Sequence, residues 1–102
     1  MSMDRVSPAD CRTMAEVRAG VDSLDREIVA LLAERFRYMD AAARIKPDRG
    51  AVRDEGRKAE VIANASAHAR REGAPEASVA ELYDRLVEAS IAYEFDRFDS
   101  IR

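Results

Sequence analysis

The 102-residue sequence predicts an all-α fold of three helices, the first of them very long, and three observations carry that prediction. Helix formers dominate: Ala, Leu, Glu and Arg are abundant, against 4 Gly and 3 Pro. Apolar side chains recur at alternating steps of four and three, the period of one helix face. Residues suited to starting and stopping helices bracket each apolar run.

Thr13-Met-Ala-Glu16 has the form of a capping box, with Thr13 as N-cap and Glu16 reaching back. From there apolar positions fall at Val17, Val21, Leu24, Ile28 and Leu31, then Tyr38, Ala42 and Ile45. Pro47 stops the run, because the residue before a proline is pushed out of helical geometry. A helix over 14–46 would be about 50 Å long at ~1.5 Å per residue. A compact domain of this size is only ~35 Å across, so the helix overhangs a lone globule. A partner chain removes the overhang, and the predicted assembly is an intertwined helical homodimer. The segment from Pro47 to Arg53 is turn-rich. The second helix runs from Asp54 as N-cap to Glu72, turns Val61, Ile62 and Ala65 inward, and is closed by Gly73. Pro75 opens a third, roughly 75–99, with Val79, Leu82, Leu86, Ile91, Phe95 and Phe98 inward; Ser78-Val-Ala-Glu81 offers a second start for it. Residues 1–13 are expected to form a mobile N-terminal extension, and 14–102 a single helical domain.

Apolar residues are 47% and charged residues 36%, as in a soluble globular chain. The net charge of −3 argues against a nucleic-acid binder, which needs a basic surface. No 18-residue apolar run and no signal-type stretch stands in the sequence, so no membrane partner and a cytoplasmic location are expected. The lone Cys11 forms no intrachain disulfide, no Cys/His cluster suggests a metal, and no cofactor is expected. His68 lies in a polar helical stretch and reads as solvated.

The charges that interrupt the apolar pattern carry the functional signal. The stripe of the first helix should continue at position 35, which is arginine; a guanidinium there is costly unless an anion pairs with it. Lys46, one of only two lysines, returns to within about 20° of the same direction, about 16 Å along the axis. Arg18 lies about 25 Å before Arg35 and about 100° around, out of reach of the same small ligand except from a partner chain. Arg53, Arg57 and Lys58 cluster at the start of the second helix, where free backbone N–H groups already favour anions. Ser90 and Glu94 stand one turn apart among apolar neighbours. Plainer readings exist for each. Arg35 can snorkel or pair with an acid, Lys46 can cap a helix C-terminus, and Arg57 and Glu94 can sit on solvated faces. Together, on a chain with no nucleophile or metal set, they point to a pocket for a small polyanion.

The pattern Arg18-x-x-Val21-Asp22-x-x-Asp25-x-x-Ile28-x-x-Leu31-Leu32-x-x-Arg35, then Lys46, then Val52-Arg53-Asp54-x-x-Arg57, then Ser90-x-x-x-Glu94 resembles the all-helical chorismate mutases. Pro8-Ala-Asp-Cys11 and the run from Tyr38 to Lys46 are similar to the isochorismate-pyruvate lyase branch of that family. The resemblance implies an intertwined homodimer with two sites and chorismate or isochorismate as substrate. It implies that Arg18 of the partner subunit and Arg35 hold the carboxylates, with Arg57 nearby. Lys46 and residue 94 would meet the enolpyruvyl ether oxygen, Asp54 the ring hydroxyl, and Ser90 the carboxylate end. Two positions depart from the common pattern. Glu94 stands where glutamine is usual, and an acid donates a hydrogen bond only when protonated. Lys58 stands where many members carry a glutamate that contacts the ring hydroxyl, which puts its part in substrate binding in doubt. The expected reaction is the pericyclic rearrangement of chorismate to prephenate; the alternatives are the lyase reaction giving salicylate and pyruvate, or a weak relative acting as a binding module. A plain dimerising helical coil would account for the long helix but not for Arg35 or the clustered cations.

Overall fold

The first helix begins where its capping box predicts. In the computed structural model, which describes residues 5–102, helix α1 spans Met14–Ile45, α2 spans Glu55–Glu72 and α3 spans Glu76–Ser100. Short 3-10 turns stand at Pro8–Asp10 and Arg49–Ala51, and no strand occurs among the described residues. The protein is all-α. Residues 1–4 of the expected extension lie outside the described residues. The chain divides into two compact units, Met1–Arg35 and Phe36–Arg102, to both of which α1 contributes.

In the first unit the capping box closes reciprocally. Thr13 Oγ1 accepts from the Glu16 N–H at 3.2 Å, while Glu16 Oε1 accepts from the N–H groups of Thr13 at 3.1 Å and Arg12 at 2.8 Å. The segment ahead of it doubles back along α1: Arg5 pairs with Glu27 and donates to Ser23 Oγ at 3.4 Å, leaving Ser23 buried. The apolar stripe stays open. Val17, Val21, Leu24, Ile28 and Leu31 are 37–66% exposed, so among the described residues the face that the spacing marks as buried stays largely uncovered.

The second unit forms its core from Ala43, Val52, Val87, Ile91 and Phe98, with Val61 and Phe95 packed against it. Asp48 caps the turn after α1 by accepting from the Ala51 N–H, and Asp54 caps α2 by accepting from the Arg57 N–H at 3.0 Å. Gly73 ends α2 with φ +73°, a left-handed conformation that costs other residues a steric penalty. α3 starts after Pro75, and the alternative start at Ser78 is not used.

In this second unit three expected inward residues point outward. Tyr38 and Ile45 are 66% and 72% exposed, and Leu82 is 66% exposed. The last turns of α1 instead turn Phe36, Asp40 and Ala43 inward. Phe36 meets Tyr93 edge-on with ring centroids 5.0 Å apart, and Asp40 accepts from the Tyr93 hydroxyl at 2.8 Å and pairs with Arg97 at 2.9 Å. On α3 the interior positions are Val87, Ser90, Ile91, Glu94 and Phe98. An apolar pattern passes over polar side chains, and two of these five are polar.

Candidate functional site

Two of the predicted side chains meet in the second unit. Lys46 follows the last residue of α1, and its N–H still closes a helical bond to the Ala42 carbonyl at 2.9 Å. Its ammonium lies 2.6 Å from Glu94 Oε2 on α3 and donates to the Val52 carbonyl at 3.4 Å. Glu94 is 4% exposed, and its Oε2 accepts no well-aligned hydrogen bond among the described residues, although the ammonium is close enough to balance its charge. Such an arrangement persists because the charges cancel; removing the lysine leaves the carboxylate buried alone. Ser90, one turn earlier on α3, is also buried, and its hydroxyl donates to the Leu86 carbonyl at 2.7 Å.

The cations around the start of α2 are taken up by acids. Arg57 is exposed and pairs with Glu60. Arg53 reaches Glu55 at 2.8 Å and Glu88 at 2.7 Å. Lys58 reaches Glu88 at 2.7 Å and Asp84 at 3.0 Å, so it ties α2 to α3 through carboxylates of the same chain. The hydrogen bond from Arg53, then that from Lys58, holds the Glu88 carboxyl down at about 2, and the bonds to Glu88 and Asp84 raise the Lys58 ammonium. The Asp54 side chain serves as the α2 cap.

Arg18 and Arg35 belong to the first unit. Arg18 is exposed, and its side chain makes no ion pair or hydrogen bond among the described residues; Arg35 is half-buried at the end of that unit. His68 is exposed, as expected.

The sequence reading missed one contributor. Arg102, just past α3, donates to the carbonyls of Ala43 at 3.0 Å and Lys46 at 2.7 Å. Its signal was present but indirect: Pro47 has no N–H, so the Ala43 carbonyl loses its helical partner and calls for a donor from elsewhere.

Among the described residues no helix is long and apolar enough to cross a membrane. Comparison with known proteins places the architecture in a family. Residues 17–95 match the family described as chorismate mutase type II. The chain is 29% identical over 86 residues to the isochorismate pyruvate lyase of Pseudomonas aeruginosa, an alignment covering 84% of this chain and 85% of that protein. The match across most of α1, all of α2 and most of α3 is more than half of the sequence, and the chain therefore belongs to the type II chorismate mutase family.

Proposed function

We propose that the protein is a chorismate mutase, rearranging chorismate to prephenate, and that it works as an intertwined homodimer. The observation that carries the reading is the buried Glu94 with the half-buried Lys46 ammonium 2.6 Å from its Oε2, an oxygen that accepts no well-aligned hydrogen bond among the described residues. A pericyclic rearrangement requires no nucleophile. It requires the substrate held in a chair-like fold and donors placed where charge grows on the breaking C–O bond. Lys46 supplies a charged donor for that ether oxygen, and Glu94, once protonated, supplies a second. Fixed charge in a site shielded from water stabilises the transition state without reorganising as the bond breaks.

Arg35 and the partner subunit's Arg18 would take the two carboxylates, a task that suits the planar guanidinium fork. The exposed Arg18 and the open stripe from Val17 to Leu31 support an arrangement in which a second copy covers the stripe and receives the arginine. Asp54, Arg57 and Ser90 would line the same pocket. Lys58 falls outside this proposal, because its ammonium is engaged by Glu88 and Asp84.

The lyase reaction, isochorismate to salicylate and pyruvate, is the second reading. The name of the Pseudomonas aeruginosa relative favours it, and it breaks an ether bond in an equivalent position. Incubation of the purified protein with each substrate in turn separates the two. Prephenate from chorismate supports the mutase, salicylate with pyruvate from isochorismate supports the lyase, and neither product sinks both.

A further inference from the structure

We propose that Arg102 is a positioning residue that latches the backbone of Lys46 and so fixes where the lysine's ammonium stands; the catalytic part of this inference rests on the function proposed above. In a regular helix the Ala43 carbonyl would accept from the N–H of residue 47. That residue is Pro47, which has none, and Ala43 is fully buried, so water from its own side is also excluded. The Arg102 guanidinium supplies the missing donor. One amino group donates to Ala43 O at 3.0 Å and the other to Lys46 O at 2.7 Å, two charge-assisted bonds to the C-terminal end of α1, where the helix dipole favours a cation. The guanidinium carbon lies 3.7 Å from the ring centroid of Phe98, itself buried in the core. The fork is therefore seated on a fixed platform while it holds two carbonyls on either side of the α1 terminus.

The consequence runs to the other end of Lys46. With its N–H bound to Ala42 and its carbonyl held by Arg102, the lysine backbone is anchored on both sides, and the side chain leaves it toward Glu94 and the Val52 carbonyl. Arg102 also lines an open cleft of about 460 Å³ with Asp40, Arg44, Arg97 and Ile101. Shortening it admits water to the two carbonyls, so the fold survives while the rigid fork is lost.

The chain holds only two lysines, which makes a direct readout available. Reductive methylation with ¹³C-formaldehyde marks Lys46, Lys58 and the N-terminus, and keeps each amine cationic. In Arg102→Ala the Lys46 methyl resonance is expected to move toward that of a solvated lysine, with the Lys58 resonance unmoved. A Lys46 resonance coincident with that of the wild type overturns the latch. In kinetics on whichever substrate is turned over, Arg102→Ala should lower kcat on the order of ten- to a hundredfold through misplacement of the donor, with KM nearly unchanged. Arg102→Lys should recover part of that loss, and Arg102→Ala should have no further effect in a Lys46→Ala background. Full additivity with Lys46→Ala shows that Arg102 acts through something other than Lys46. A wild type inert toward both substrates removes the proposed function and leaves the resonance to decide the latch.

Discussion

Replacing Lys46 by methionine keeps most of the stem and deletes the charge, and two separable losses follow. The first is in rate. Losing one preorganised donor to a developing oxyanion costs about 10²–10³ in kcat, or roughly 2.7–4 kcal/mol. The second is in stability. Glu94 is 4% exposed, so its carboxylate is left buried without a counter-charge, a loss of about 3–5 kcal/mol for a fully buried pair. The Lys46 side chain is 28% exposed, which selects the lower end, about 3 kcal/mol. For a domain near 100 residues that lowers Tm by roughly 12–24 °C. Adding Glu94→Gln to Lys46→Met removes the stranded charge while keeping the shape, so the melting temperature should climb most of the way back and kcat should stay low. Melting followed by far-UV circular dichroism at one fixed protein concentration, with prephenate formation on the same samples, reads both quantities. A double variant that regains kcat together with Tm would falsify the electrostatic role, because the rate loss would then have been a folding loss.

Three further expectations can be checked independently. Arg18→Ala and Lys46→Ala proteins, each severely impaired alone, should regain activity when mixed and allowed to exchange subunits, since one site of each mixed dimer then carries neither lesion; no gain after demonstrated exchange rules out a shared site. If Glu94 meets the ether oxygen, Glu94→Gln, whose amide donates without first being protonated, keeps or raises kcat while Glu94→Ala loses about 10²–10³; equal rates in the two variants remove Glu94 from contact with the reacting atom. Glu88 carries a folded-state pKa of about 2, below its value of roughly 4.3 in an unfolded chain, so its ion pairs with Arg53 and Lys58 stabilise the fold above that unfolded value and cease to do so as pH falls toward 2. The wild type should therefore melt above Glu88→Gln at neutral pH and converge on it in acid, and a gap that is constant across pH contradicts the assignment.

Local chemistry was readable from the sequence wherever the partners are close in the chain. The Thr13–Glu16 box, the Asp54 cap and the left-handed Gly73 each involve residues within one turn, and all three formed. Facing was harder to read, because it depends on what lies across from a helix. Tyr38, Ile45 and Leu82 fit an apolar stripe by spacing, but Asp40, Ser90 and Glu94 take interior positions by finding partners on other elements or on the preceding turn. The segment from Arg5 to Arg12 has no periodicity to announce that it lies against α1, and the contact of Arg5 with Glu27 spans 22 residues. At the site, the resemblance named Lys46 and Glu94 but not their ion pair, and that pair, like the engagement of Arg53 and Lys58 by Glu88, needed the packing of elements distant in the chain. Arg102 was hidden for the same reason: the orphaned carbonyl is written in Pro47, but its donor stands 59 residues from Ala43.

The open stripe on α1 has a bearing on the amount of protein a cell must make. Val21, Ile28 and Leu31 are about half exposed or more in the single chain, and each is a side chain whose full burial is worth about 1.5–3 kcal/mol. Under the paired arrangement proposed above, that energy is collected only when two copies meet, so the folded fraction rises with the chain's own abundance. Dilution would lower the melting temperature, and total activity would decline faster than concentration. Low expression would then reduce flux through the reaction more than in proportion, giving the enzyme a threshold in dosage that a monomer of the same catalytic power would lack.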